Sequence, residues 1–215
     1  MSALALITSL ALLTSSCQEA NTQNINMNEE NIPAGVKTDT ATFATGCFWC
    51  TEAIFQRLKG VLKATSGYSG GHVKNPSYEE VCTGTTGHAE SLQIIYDPKV
   101  ISFDELLEVF WESHDPTSLN KQGNDSGPQY RSAIFYHNAE QKEKAEHYKS
   151  ELDKSKAYDK PIVTEITAFT NFFPAENYHQ NYYNTHGSYP YCTFVIQPKV
   201  EKFEKVFKDK LKPKK

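Results

Sequence analysis

The chain has 215 residues with 39% hydrophobic and 12% aromatic content, enough for one compact domain and a short appendage. A net charge of −4 argues against a dedicated nucleic-acid binder, which needs a strongly basic surface. Basic character is confined to the end of the chain, where residues 201–215 hold seven Lys against three acids.

In chain order, residues 1–16 read as a signal peptide. Ala3 to Leu13 is an apolar run too short to span a bilayer. Thr14, Ser15 and Ser16 lead to Cys17 in a pattern that resembles a bacterial lipoprotein signal. It departs from that pattern in two ways: no Lys or Arg precedes the run, and Thr14 stands where Leu is usual. The resemblance implies export and lipidation of Cys17, with anchoring in a bacterial cell envelope. An ordinary cleaved signal or a free terminal cysteine is the alternative. Residues 17–39 are rich in Asn, Gln, Glu and Thr, with Pro33 and Gly35; they read as a flexible tether.

The catalytic domain is expected over 40–198. Thr40 to Thr45 alternates like a strand, and Thr51 to Leu58 places Ala53, Ile54 and Leu58 at helical spacing. Gly46-Cys47-Phe48-Trp49-Cys50 lies between them, so Cys47 falls at a strand-to-helix turn. The positive end of a helix dipole there favours a thiolate nucleophile. Phe48 and Trp49 offer an apolar wall, although aromatics at a helix start are also common core residues.

Val61 to Tyr68 reads as a strand running into a Gly-rich turn, and Ser77 to Cys82 as a short helical turn. Glu90 to Asp97 reads as a strand, and Ser102 with Glu105 as a capping box opening a helix that ends near His114. A long polar loop to Gln129 is of the length that usually carries function. Strands are expected over 131–136 and 163–169, with a charged helix over 139–154 between them. Pro174 is expected to begin a short helix, and Tyr191 to Ile196 to form a last strand. A basic amphipathic helix is expected over 199–215, with Val200, Phe203, Val206, Phe207 and Leu211 on its packed face. Strands mixed with helices and no βαβ rhythm indicate an α+β sandwich.

The five cysteines sort unequally. Cys17 belongs to the N-terminal segment, Cys47 and Cys50 form a C-x-x-C, and Cys82 and Cys192 are isolated. A C-x-x-C closes almost no loop, so it suits redox chemistry better than stapling. Cys82 reads as a buried small residue.

These residues resemble the A-type peptide methionine sulfoxide reductases, over roughly Thr42 to Pro198. Five motifs carry the resemblance in order: Gly46-Cys47-Phe48-Trp49; Gly67-Tyr68-Ser69-Gly70-Gly71; Asn75-Pro76-Ser77-Tyr78-Glu79-Glu80-Val81-Cys82; Gly87-His88-Ala89-Glu90; and Gly123-Asn124-Asp125 with Gln129-Tyr130-Arg131-Ser132. The resemblance implies a two-layer sandwich with a ferredoxin-like core wrapped by long loops. It implies that Cys47 attacks the sulfoxide sulfur, Glu90 supplies a proton, Tyr78 and Tyr130 hold the sulfoxide oxygen, and Asp125 orders the site. By residue type alone Glu90 is an ordinary strand-end glutamate and Asp125 an ordinary loop aspartate. Phe48 and Trp49 match a cage for the substrate methyl group that selects the S epimer.

The sulfenic acid left on Cys47 is the first rung of thiol oxidation and needs a second thiol. Cys50 is the first candidate resolver. Cys192, in Tyr189-Pro190-Tyr191-Cys192, resembles the family's C-terminal recycling site. The family implies an external dithiol, thioredoxin or a thioredoxin-like partner, with no metal and no bound cofactor. Substrates are oxidised proteins or free methionine sulfoxide, acted on by a monomer. Two rivals stand: a general thiol–disulfide oxidoreductase using Cys47 and Cys50, and a metal-binding or adhesion module ligated by Cys47, Cys50 and Cys82.

Overall fold

The fold is taken from a computed structural model that describes Ile32 and residues 35–213. The apolar run, Cys17 and most of the tether lie outside the described residues. β1 (Asp39–Thr45), α1 (Phe48–Phe55), β2 (Val61–Ser69), α2 (Tyr78–Cys82), β3 (Ala89–Tyr96) and α3 (Phe103–Ser113) follow one another. Then come a small hairpin of β4 (Lys121–Gln122) and β5 (Asp125–Ser126), β6 (Ser132–Tyr136), α4 (Ala139–Ser155), β7 (Glu165–Ala168) and β8 (Phe172–Pro174). Two short helices, α5 (Tyr182–Thr185) and α6 (Gln197–Val206), close the chain.

Six strands make one mixed sheet in the order β7-β6-β1-β3-β2-β8. All neighbours are antiparallel except β6 and β7. The architecture is α+β.

The core grows from strand periodicity. Leu92, Ile94 and Tyr96 share one face of β3 and meet Leu106, Leu107 and Phe110 of α3. Phe43 of β1 sits among them, its ring centroid 5.7 Å from Phe55, 5.9 Å from Phe103 and 5.1 Å from Phe110. Each such fully buried side chain contributes about 2 kcal/mol. Glu90 belongs to the same alternating set as Leu92 and Ile94, so strand periodicity alone turns it inward.

The C-terminal segment enters this core. Phe203 and Phe207 join the main cluster, while Lys202, Lys205 and Lys208 face solvent. The helix expected over 199–215 is corrected: it runs over Gln197–Val206, Val206 is 56% exposed rather than packed, and a tight turn over Lys208–Lys210 follows. The Lys59 N–H then donates to the Lys210 carbonyl at 2.8 Å.

Two sequence expectations are corrected. Tyr191 to Ile196 is not a strand: Cys192–Ile196 is a π-helical turn running into α6. Cys192 and Ile196, four apart, are both buried, whereas Phe194 is 78% exposed; among the described residues no sheet edge pairs with this segment, so its β-prone side chains have no ladder to join. Pro174 does not begin a helix but ends β8, an edge strand where a missing N–H costs nothing. The helical turn comes later, at Asn177–His179.

Candidate active site

Cys47 is the N-cap of α1, and its carbonyl accepts from the N–H groups of Cys50 (3.1 Å) and Thr51 (3.3 Å). The sharp entry depends on Gly46, whose φ of +92° is left-handed. A Cβ at Gly46 would also lie 2.5 Å from Gln122 Cβ.

A cavity of about 220 Å³ opens at this turn, lined by Cys47, Phe48, Trp49, Tyr78, Glu90, Asp125, Tyr130 and Tyr191. Seven of these eight are singled out by sequence as catalytic or substrate-binding residues; Tyr191 is not.

Each side chain has a local reason for its place. Tyr78 opens α2, which starts at a Ser77–Glu80 capping box; the Tyr78 N–H donates to Glu176 Oε1 at 2.9 Å. Asp125 follows the two-residue turn of the β4–β5 hairpin, where Gly123 has φ +61°. Tyr130 ends a helical turn begun at Pro128, and Arg131 fixes that turn by donating to the carbonyls of Pro128 and Gly87, both at 3.0 Å. His88 braces the Gly-rich turn: its Nδ1 accepts from the Gly71 N–H at 3.1 Å, and its Nε2 lies 2.8 Å from the Val73 carbonyl.

Glu90 is 2% exposed, and its Oε2 accepts the Phe48 N–H at 2.9 Å. Burial, then the charge of Cys47, hold its carboxyl well above the usual range, against the Phe48 hydrogen bond. The protonated acid is therefore favoured. Burial, with Glu90 also contributing, likewise raises the phenols of Tyr78 and Tyr130, which stay as donors.

The expected helix-start thiolate is corrected. Burial raises the Cys47 thiol well above its ordinary value, and the neighbouring Cys50 raises it further. The N–H at the helix tip is used by Glu90, so the dipole does not outweigh the loss of water.

Phe48 is fully covered and Trp49 half-buried. Trp49 stacks on Tyr182 with centroids 3.7 Å apart, and its indole N–H donates to His179 Nδ1 at 3.1 Å. These two partners hold the Trp49 ring and have no sequence signal beyond their aromatic type.

Tyr191 donates to Asp125 Oδ2 at 2.8 Å, lines the cavity beside Cys47 and packs against the cysteine cluster. Only its place beside Cys192 points to it. Cys192 is fully buried and packs in one cluster with Cys47, Cys50, Ala53, Ile196 and Val200. Cys82 is exposed rather than buried: it ends the five-residue α2, whose inward residue is Val81. All four cysteines of the described residues are free thiols.

A protonated carboxyl, two phenols, a thiol and an aromatic wall around one small cavity suit a polar oxygen bonded to a soft, methylated centre. The family model described as peptide methionine sulfoxide reductase matches residues 39–211. The chain belongs to that family. Peptide methionine sulfoxide reductase MsrA of Saccharolobus solfataricus is 55% identical over 174 residues, 81% of this chain and 97% of that protein. An MsrA of Thermus thermophilus is 55% identical over 175 residues, 81% of this chain and 98% of its own. Among solved structures, methionine sulfoxide reductase A of Corynebacterium diphtheriae aligns with a TM-score of 0.64 at 37% identity, covering 71% of this chain and 78% of that one. Mxr1 of Saccharomyces cerevisiae in reduced form aligns with a TM-score of 0.66 at 34% identity, covering 75% and 95%. The reaction of this methionine sulfoxide reductase is the return of oxidised methionine to methionine.

Proposed function

We propose that Cys47 attacks the sulfur of a methionine S-sulfoxide held in the cavity it shares with Glu90, Tyr78 and Tyr130. That shared cavity is the observation that carries the assignment. The sulfoxide oxygen lies toward Glu90 and the two phenols, and the methyl group toward Phe48 and Trp49. With those two ends fixed, only one epimer presents its sulfur to Cys47. Asp125, tied to Tyr191, orders the oxygen side of the pocket.

Oxygen passes from substrate sulfur to enzyme sulfur. A thiol and a sulfoxide become a sulfenic acid and a thioether, with no net proton required. Glu90 lends a proton to the departing oxygen as the new S–O bond forms, and the Cys47 proton replaces it.

Cys50 then resolves the sulfenic acid as a disulfide, with Cys192 a second thiol packed in the same cluster. An external dithiol, thioredoxin or a thioredoxin-like protein, returns the enzyme to its reduced state. The strand order β6-β1-β3-β2, with α1 and α3 as crossovers, supports the ferredoxin-like reading of the core. The N-terminal pattern supports export and a lipid anchor at Cys17 on a monomeric enzyme, with residues 17–39 as the tether.

A single turnover with each epimer, without reductant, tests the assignment. About one methionine per enzyme is expected from the S epimer and none from the R epimer. Cys47→Ser abolishes that release and Cys50→Ser keeps it. Release from the Cys47→Ser protein would refute the nucleophile.

A further inference from the structure

α6 sends one side chain across to the C-x-x-C. Lys199 Nζ lies 3.7 Å from Cys50 Sγ, within donor range of sulfur. Lys199 is half-buried, flanked on the next residue by Val200 of the cysteine cluster. It also borders a cavity lined by His114, Gln122 and Phe203. Among the described residues its hydrogen bond goes to this sulfur, and no carboxylate forms an ion pair with it. Sequence alone puts it on a solvated basic helix, without a task.

We infer that Lys199 is a positioning residue that holds Cys50 as the thiolate for the resolving step. The inference rests on the assignment of Cys50 as resolver. The two thiols of the pair sit in different fields. Cys47 is pushed up by burial. Cys50 has the Lys199 ammonium 3.7 Å from its sulfur; that charge and Tyr191 act to lower its thiol, against burial and the Asp125 carboxyl. Among the described residues, the charged or titrating groups facing Cys50 are Cys47 from the turn before α1, Lys199 from α6, Tyr191 from the segment before the π-helical turn, Asp125 from the β4–β5 hairpin, and Cys192 of that turn, packed in the same cluster.

The division suits the chemistry. In the resolving step the Cys50 thiolate attacks the sulfur of the Cys47 sulfenic acid. An S–S bond forms and the S–O bond breaks. Hydroxide leaves and takes a proton, from Glu90 or solvent, to become water. Cys50 sulfur is oxidised and Cys47 sulfur is reduced by the same amount. Only the thiolate fraction of Cys50 can attack, so a fixed cation beside it sets the rate near neutral pH. Lys199 touches neither substrate nor the reacting oxygen and acts through Cys50 alone.

The test uses the full chain with Lys199→Met, Lys199→Gln and Lys199→Arg. Reduced protein is mixed with one equivalent of methionine S-sulfoxide, without external thiol, and quenched in time from about pH 6 to about pH 10, a range that spans the ordinary thiol value. Mass spectrometry follows the disulfide and the dimedone-trapped sulfenic acid, and methionine release serves as the internal reference. In the two neutral variants disulfide formation slows about tenfold near pH 7, its pH midpoint moves upward by about one unit, and alkaline pH restores the rate. Lys199→Arg keeps the original midpoint. An unchanged midpoint in both neutral variants, with Cys47–Cys50 still the mapped disulfide, overturns the role of Lys199. Exclusive Cys47–Cys192 pairing in the unmodified protein overturns the resolver assignment itself and the inference with it.

Discussion

Glu90 shows how one residue's position creates its chemistry. It sits on the inward face of β3, where its neighbours at the same parity are Leu92 and Ile94. A carboxyl in that row loses its water and keeps its proton. Its folded-state value is raised, so the acid is present at neutral pH and is lost only as pH climbs through that raised value. Glu90→Gln keeps the shape and removes the transferable proton. The single-turnover rate should fall by about 100-fold, while substrate affinity changes by less than about threefold. Rapid-quench turnover with titrated S-sulfoxide measures both; an unchanged rate would remove Glu90 from the proton path.

At the scale of elements, the turn between β1 and α1 is the critical joint. Gly46 combines φ +92° with a Gln122 side chain whose Cβ and Cγ lie 2.5 and 2.6 Å from where a Cβ would sit. Gln122 cannot simply swing away, because its amide spans the Asp115 N–H and carbonyl, each at 3.1 Å. Gly46→Ala should cost about 2–4 kcal/mol in urea unfolding and displace Cys47 as well, so activity falls further than stability. A loss below about 1 kcal/mol would show that the turn relaxes. Local signals make such elements legible. The Ser102–Glu105 capping box and the alternation of β1 and β3 are readable in sequence and stand in the structure. The motifs likewise name seven of the cavity's eight lining residues. β8 and the π-helical turn are not legible, because a three-residue edge strand and a segment with no ladder are decided by distant partners. The protonation of Cys47 is misread for the same reason: a helix tip is local, but burial is supplied by the whole pocket.

Over the whole molecule, a second buried acid links stability to pH. Glu52 of α1 is 2% exposed, accepts the Asn181 N–H at 2.9 Å through Oε1, and leaves Oε2 without a partner. Burial pushes its carboxyl up to about 7. The folded state therefore binds a proton that the unfolded chain releases, and the contribution of Glu52 is full below its unfolded value and lost as pH rises from about 4.5 to about 7. Glu52→Gln removes this dependence. Urea unfolding of the two proteins should show the wild type losing about 3 kcal/mol relative to the variant across that interval. Parallel curves would show that Glu52 titrates normally.

The same contact ties α1 to the segment carrying Tyr182, the ring stacked on Trp49.

The π-helical turn over Cys192 has a consequence for survival under oxidative attack. Its sulfur has no surface of its own, yet it shares a cluster with the two thiols of the C-x-x-C. Dissolved peroxides reach a sulfur only where solvent does, so a sealed thiol outlasts its neighbours. A peroxide entering the pocket therefore meets Cys47 first, because Cys47 lines the cavity and Cys192 does not.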